Sequence, residues 1–162
     1  MKKIKLILFF IALFGIFSAC MKNELCTPVQ VELKAGIYTL PDTEGNIEPK
    51  LTKMDLDSVY GLTMESQNLL FNAKQINEIN FPLNDASNES SFVLKFKGLN
   101  DTIQDTIHFF YEKEMHFISV KCGVYYSYQI SSIESTHHQL KSIILTNPKI
   151  DVVSVENILL VY

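Results

Sequence analysis

Four histidines, His108, His116, His137 and His138, are the side chains best suited to hold a metal ion. If Glu112-Lys113-Glu114 closes a hairpin, His108 and His116 stand on facing strands, although near different rungs. His137 and His138, if on a strand, point to opposite faces. None of the four has a cysteine or carboxylate beside it at a zinc spacing, so we expect surface or edge histidines and assign no metal. Asp55 and Asp57 flank Leu56, and on a strand they share one face roughly 6–7 Å apart. That separation suits a glycosidase pair or a cation. It is equally the pattern of a solvated strand face, and the EF-hand order fails because Val59 takes the third ligand position and Gly61 comes one place late.

Nucleophilic chemistry has no motif to stand on. The chain contains no G-x-S-x-G, H-E-x-x-H, Walker loop or C-x-x-C, and Gly36, Gly45, Gly61, Gly98 and Gly123 are isolated. An active site would require two or more of His108, His116, Asp55, Asp57 and Glu134 to meet in space. We expect no enzyme and no cofactor. Among the aromatics, Tyr126 and Tyr128 share the apolar parity of their segment, whereas Tyr125 points the other way and is a candidate for an exposed interaction surface with Tyr38 or Tyr60. The absence of tryptophan weighs against carbohydrate stacking.

The elements that would position these residues read as strands. Phe117–Ile130 has the cleanest alternation: Ile118, Val120, Cys122, Val124, Tyr126, Tyr128 and Ile130 on one face, which predicts one long strand with a bend or bulge at Gly123. Val29 to Ile37 alternate as a first strand, then Pro41 to Pro49 form a turn-rich loop. Met54, Leu56, Ser58, Tyr60 and Leu62 mark a second strand. Gln67 to Phe81 is interrupted by four asparagines, weak helix formers, and is read as two short strands. Phe92, Leu94 and Phe96 precede a turn at Gly98–Asp101, and Ile103, Ile107, Phe109 and Tyr111 follow. Ile143–Thr146, Val152–Val155 and Ile158–Tyr162 complete the set. Many short strands between turn signals indicate a single antiparallel β-sandwich, immunoglobulin-like or related.

The N-terminus is of a different kind. Met1-Lys2-Lys3-Ile4-Lys5 is a basic n-region, Leu6 to Phe17 is an apolar run too short for an ordinary spanning helix, and Phe17-Ser18-Ala19-Cys20 resembles a lipobox with Phe17 in place of the usual aliphatic residue. Residues 1–19 are therefore expected to be a lipoprotein signal peptide and Cys20 to carry palmitate-type acyl chains. Residues 20–25 would form a short lipidated tether and 26–162 the domain. Losing three lysines takes the formal charge from −4 to −7. All fourteen basic residues are scattered lysines, so bidentate phosphate recognition is missing and nucleic acid is not expected as a partner. Cys26 and Cys122 remain as an even pair in an oxidising compartment. A disulfide between them closes about 100 residues and has an upper value of roughly 4–5 kcal/mol; the alternatives are two buried thiols or an exposed, reactive Cys26.

Taken in order, Cys26-Thr27-Pro28, Ala35-Gly36-Ile37-Tyr38, Asp57-Ser58-Val59-Tyr60-Gly61-Leu62, Phe81-Pro82-Leu83, Ser91-Phe92-Val93-Leu94, Phe117–Gly123 and Glu156-Asn157-Ile158 resemble a family of small cell-envelope lipoproteins of unknown function from Bacteroidota. The resemblance implies an all-β envelope lipoprotein and supplies neither reaction nor site. The expected function is a lipid-anchored accessory role at the outer membrane, on either its periplasmic face or the cell surface, with another envelope protein as partner. The alternative is a lipoprotein that binds a small glycan, lipid or cation in a cleft between the sheets.

Overall fold

The computed structural model describes residues 26–40, 48–62, 67–97 and 103–162, with backbone alone for 67–69 and 71–74. The segment expected to be a signal peptide, Cys20 and the expected tether, most of the Pro41–Pro49 loop and the Gly98–Asp101 turn lie outside the described residues. The chain forms β1 (Glu32–Thr39), β2 (Lys50–Leu51), β3 (Met54–Leu62), β4 (Gln67–Ile76), β5 (Glu78–Pro82), β6 (Glu89–Phe96), β7 (Ile103–Ser119), β8 (Gly123–Ser135), β9 (Ser142–Leu145), β10 (Lys149–Ile150) and β11 (Glu156–Val161).

Alternation decides which side each strand buries. Leu33, Ala35 and Ile37 of β1, Phe92, Leu94 and Phe96 of β6, and Ile107, Phe109 and Tyr111 of β7 all point into one core. Burying each of the larger side chains contributes about 1.5–3 kcal/mol. Phe81, Phe92 and Phe109 meet at its centre with tilted rings, their centroids 4.8, 5.4 and 6.0 Å apart. The core lies between two sheets, one ordered β2-β1-β11-β9 with β5 also on β1, the other β10-β8-β7-β6-β3-β4. The expected sandwich is thus the observed fold. One pair, β1 with β11, runs parallel, with Ile37 opposite Leu160.

Gln67–Phe81 forms two strands as expected, and they belong to different sheets: β4 pairs β3, then the chain bends at Asn77 and β5 pairs β1. The Asn77 carbonyl accepts from the Ile37 amide at 3.0 Å, so the bend leaves that carbonyl satisfied. A second polar fixing sits at β11. Buried Asn157 accepts from the Lys34 amide and donates to the Asn147 and Lys149 carbonyls, each at 3.0 Å, tying β1 and β11 to the segment that leads into β10. Gly36 is required here because a Cβ would run into the Glu156 carboxylate and the Tyr38 ring.

Four local expectations are corrected. Phe117–Ile130 is not one strand: β7 ends at Ser119, the chain turns through Val120-Lys121-Cys122, and β8 begins at Gly123, whose φ of 74° is the left-handed geometry that glycine adopts freely. The hairpin turn is therefore there and not at Glu112-Lys113-Glu114, which lies within β7. Val152–Val155 is not a strand; only Lys149–Ile150 pairs with β8. In β3 a bulge near Ser58 buries both Ser58 and Val59, so the face expected to continue through Tyr60 changes over at Val59.

Phe109 and Phe117 share one strand and one parity, yet Phe109 is fully buried and Phe117 is 67% exposed. Phe109→Ala is expected to cost about 3–5 kcal/mol and Phe117→Ala less than about 0.5 kcal/mol in equilibrium urea denaturation. Equal losses would mean that the strand is covered along its whole length.

Candidate functional site

The inward face of β7 and β8 continues beyond the part that the opposing sheet covers. Tyr111 and Tyr128, in edge-to-face contact at 5.2 Å, are the last well-buried aromatics on it. Beyond them come the cross-strand pairs Met115 with Tyr126 and Phe117 with Val124, and here the side chains open to solvent, with Met115 62% and Val120 97% exposed. The result is a two-stranded arm that carries an uncovered apolar face. Its other face is polar: His116 stacks on Tyr125 at 4.7 Å and bonds Ser127 Oγ at 2.7 Å. At the tip, the Cys122 amide donates to Ser119 Oγ, and the Cys122 sulfur is bonded to Cys26 with 5.3 Å between the Cα atoms. The cysteine pair is therefore a disulfide, and it joins the N-terminal segment to the arm.

The three tyrosines proposed as one surface do not share one. Tyr38 lies on β1 in the other sheet and gives its hydroxyl to Glu156 at 3.0 Å; burial, followed by that carboxylate, pushes its pKa up. Tyr60, on β3, lies under the Lys95 ammonium at 4.7 Å. Its row crosses β7 at Thr106, ten residues from the rung of Tyr125, a separation of about 34 Å.

The candidate acid–base and metal residues are likewise dispersed. His108 and His116 lie on the same strand about 27 Å apart, not on facing strands. His137 and His138 fall in the loop after β8. Asp55 and Asp57 are exposed, and Asp55 accepts from Gln75. No group of three or more His, Cys, Asp or Glu side chains is placed to hold a metal ion among the described residues. One nominated pair does meet: Glu134 is opposite His108, and His108 Nδ1 bonds Ser91 Oγ at 2.7 Å. The row Ser91–His108–Glu134 lies on an outward face; the amides around Ser91 and His108, on interior strands, are committed to pairing on both sides and leave no donors there for an oxyanion. No hydrogen bond or ion pair joins His108 to Glu134 among the described residues.

Sequence reasoning missed Asp105. Its parity is that of Ile107 and Phe109, so its carboxylate points inward and is fully buried. It accepts from the His138, Gln139 and Leu140 amides at 2.7, 2.8 and 2.8 Å and from the Thr136 hydroxyl at 2.9 Å, with His138 Nδ1 at 3.1 Å. Burial alone would raise its pKa. The three amides and the hydroxyl more than offset this and hold the carboxyl below its ordinary value. The loop it clamps, Thr136–Leu140, carries the chain from β8 in one sheet to β9 in the other. The available signal was a single acid on an otherwise apolar parity.

The fold and site together define an all-β sandwich protein whose exposed arm is clipped by a disulfide to the N-terminal segment. Residues 57–162 match a family of unknown function, DUF6452, and the chain belongs to that family. No curated protein and no solved structure matches it. The match includes Asp105, Cys122 and the whole arm, while β1 and Cys26 precede it.

Asp105→Asn removes acceptor capacity from a buried cluster of donors and is expected to cost about 2–4 kcal/mol. Because the folded pKa is depressed, the stabilisation is complete above the ordinary carboxylate value of about 3.9 and is lost as pH falls through the lower folded value. Urea midpoints measured from neutral pH down to acid should therefore fall less steeply in Asp105→Asn than in the parent; parallel curves would show that the carboxylate charge is not what the loop depends on.

Proposed function

We propose that this protein is an N-terminally acylated lipoprotein of the cell envelope, anchored at Cys20, that works by binding another envelope component and not by catalysis. The observation that carries this reading is the Cys26–Cys122 disulfide. It uses two of the three cysteines, fits an oxidising compartment outside the cytoplasm, and leaves Cys20 as the single thiol, at the end of a signal-like segment. The uncovered apolar face of the arm supports a contact beyond the protein's own fold, since exposed apolar patches mark either protein or membrane interaction sites. The acidic, arginine-free composition favours a protein or neutral partner over nucleic acid.

Small-ligand binding is the second reading. It rests on an open cleft of about 310 Å³ where the Pro82–Asp85 segment meets β3 and β6, with Leu62, Leu83 and Phe92 beside Asn84, Asp85 and Glu89. Two of its neighbouring hydroxyls are already engaged: Ser90 Oγ and Tyr111 OH lie 2.8 Å apart, and each accepts from the Asn84 amide. They hold the loop in place, and the space between the sheets is filled by the phenylalanine cluster. Both features favour the interaction reading.

In cells given a labelled fatty acid, the wild-type protein is expected to incorporate label, to float with the outer membrane, and to crosslink reproducibly to one envelope partner. Cys20→Ser should lose the label and the flotation. An unlabelled, soluble wild-type protein would remove the anchored reading, and a labelled protein without any partner would leave ligand binding as the better account.

A further inference from the structure

We infer that the apolar tip of the β7–β8 arm is a second membrane contact, seated in the lipid surface beside the acyl chains of Cys20. This rests on the acylation proposed above and adds to it an orientation and a contact surface. The covalent chain supplies the first part of the argument. Cys26 and Cys122 have Cα atoms 5.3 Å apart, and Cys26 lies six Cα–Cα steps along the chain from Cys20. A fully extended chain spans at most about 3.6 Å per residue, so the arm tip stays within about 27 Å of the acylated residue whatever path the tether takes. Gln104, at the opposite end of β7, is about 50 Å further along the strand. Only the arm end of the sandwich is leashed to the anchor.

The chemistry of the tip supplies the second part. Hairpin turns favour glycine, asparagine and aspartate, yet here Val120 stands almost fully exposed in the turn. Met115, Phe117 and Val124 extend the apolar surface along one face, and Ile118 adds to it at the tip. β10 runs antiparallel to β8, toward the arm, and the residues that follow it, Val152 and Val153, are exposed as well. These side chains sit on the element that the disulfide holds nearest the bilayer. Apolar side chains carried to an interface by an acyl anchor enter it without a polybasic patch, because the anchor has already met the cost of bringing the protein there. The acidic groups of the arm, Glu112 and Glu114, belong with His116 to the opposite face, which stays in water, while Lys113, on the apolar parity next to Tyr111, gives its ammonium to the Asp85 carbonyl at 2.8 Å. The disulfide is then a device of orientation as well as of stability: it makes the anchored end and the apolar end the same end.

The chain has no tryptophan, so one introduced indole is a unique reporter. Full-length, acylated Val120→Trp and Gln104→Trp proteins would be reconstituted in vesicles of phosphatidylethanolamine and phosphatidylglycerol whose acyl chains carry bromine near the headgroup. Both replaced residues are exposed, which keeps the fold intact. The indole at position 120 is expected to shift to the blue and lose at least about half its emission, as an interfacial tryptophan does, while the one at 104 stays water-like and unquenched. If the protein floats with the vesicles and neither indole is quenched, the arm does not touch lipid; the inference falls and the anchor stands. An indole at 120 that is blue-shifted but untouched by bromine means that protein, a second copy or another chain, covers the arm, and this also overturns the inference. Protein that carries no acyl group and does not float ends the anchored reading, and the inference falls with it.

Discussion

An apolar face built on a β-sheet has to be covered, and the second sheet of this sandwich covers only part of the longest hairpin. β7 runs for 17 residues and β8 for 13, whereas the strands that face them are between two and eight residues long. Where the sheets overlap, the inward parity is filled by Ile107, Phe109, Ile130 and the phenylalanine cluster, and the burial of these side chains holds the domain together. Past Tyr111 and Tyr128 the same parity opens to solvent at Met115, Phe117 and Val124. Core and arm are one continuous face, divided by where the opposing layer ends.

The crossings between the sheets set the second requirement. A strand that leaves one sheet for the other breaks its ladder, and each backbone group released in the interior needs another partner. Asp105 meets this need for the Thr136–Leu140 crossing by accepting three amides and a hydroxyl. Asn157 does the same near β10 with both ends of its amide, and the Asn77 bend uses its own carbonyl. Asp105 and Asn157, both buried, stand where the layers are joined, and they specify which loop closes which end of the sandwich.

Reactive side chains do not gather in the same way. The four histidines are spread over β7 and the loop after β8, Asp55 and Asp57 face solvent, and Ser91, His108 and Glu134 form a row on an outward face without oxyanion donors. The concentrated feature is the arm, with its apolar face, its polar face and its disulfide to Cys26. Membership of a family of unknown function carries no activity to this chain, so the functional reading rests on that arm and on the N-terminal segment to which it is clipped.

Local pattern alone determined the all-β class, most of the strands, the even cysteine pair and the buried sets Leu33-Ala35-Ile37 and Phe92-Leu94-Phe96, because period-two alternation is a property of neighbouring residues. The split of Phe117–Ile130 was not legible in the same way. Apolar residues alternate on both strands of a hairpin, and a three-residue turn followed by a glycine preserved that rhythm across the reversal. Val152–Val155 has the composition of a strand and finds no edge to pair with. Asp105 keeps the parity of its neighbours, but whether an inward acid is tolerated depends on amides delivered from more than thirty residues away. The tertiary structure alone decided that Phe109 is core and Phe117 is surface, since two side chains of one type on one face differ only in whether another sheet lies above them.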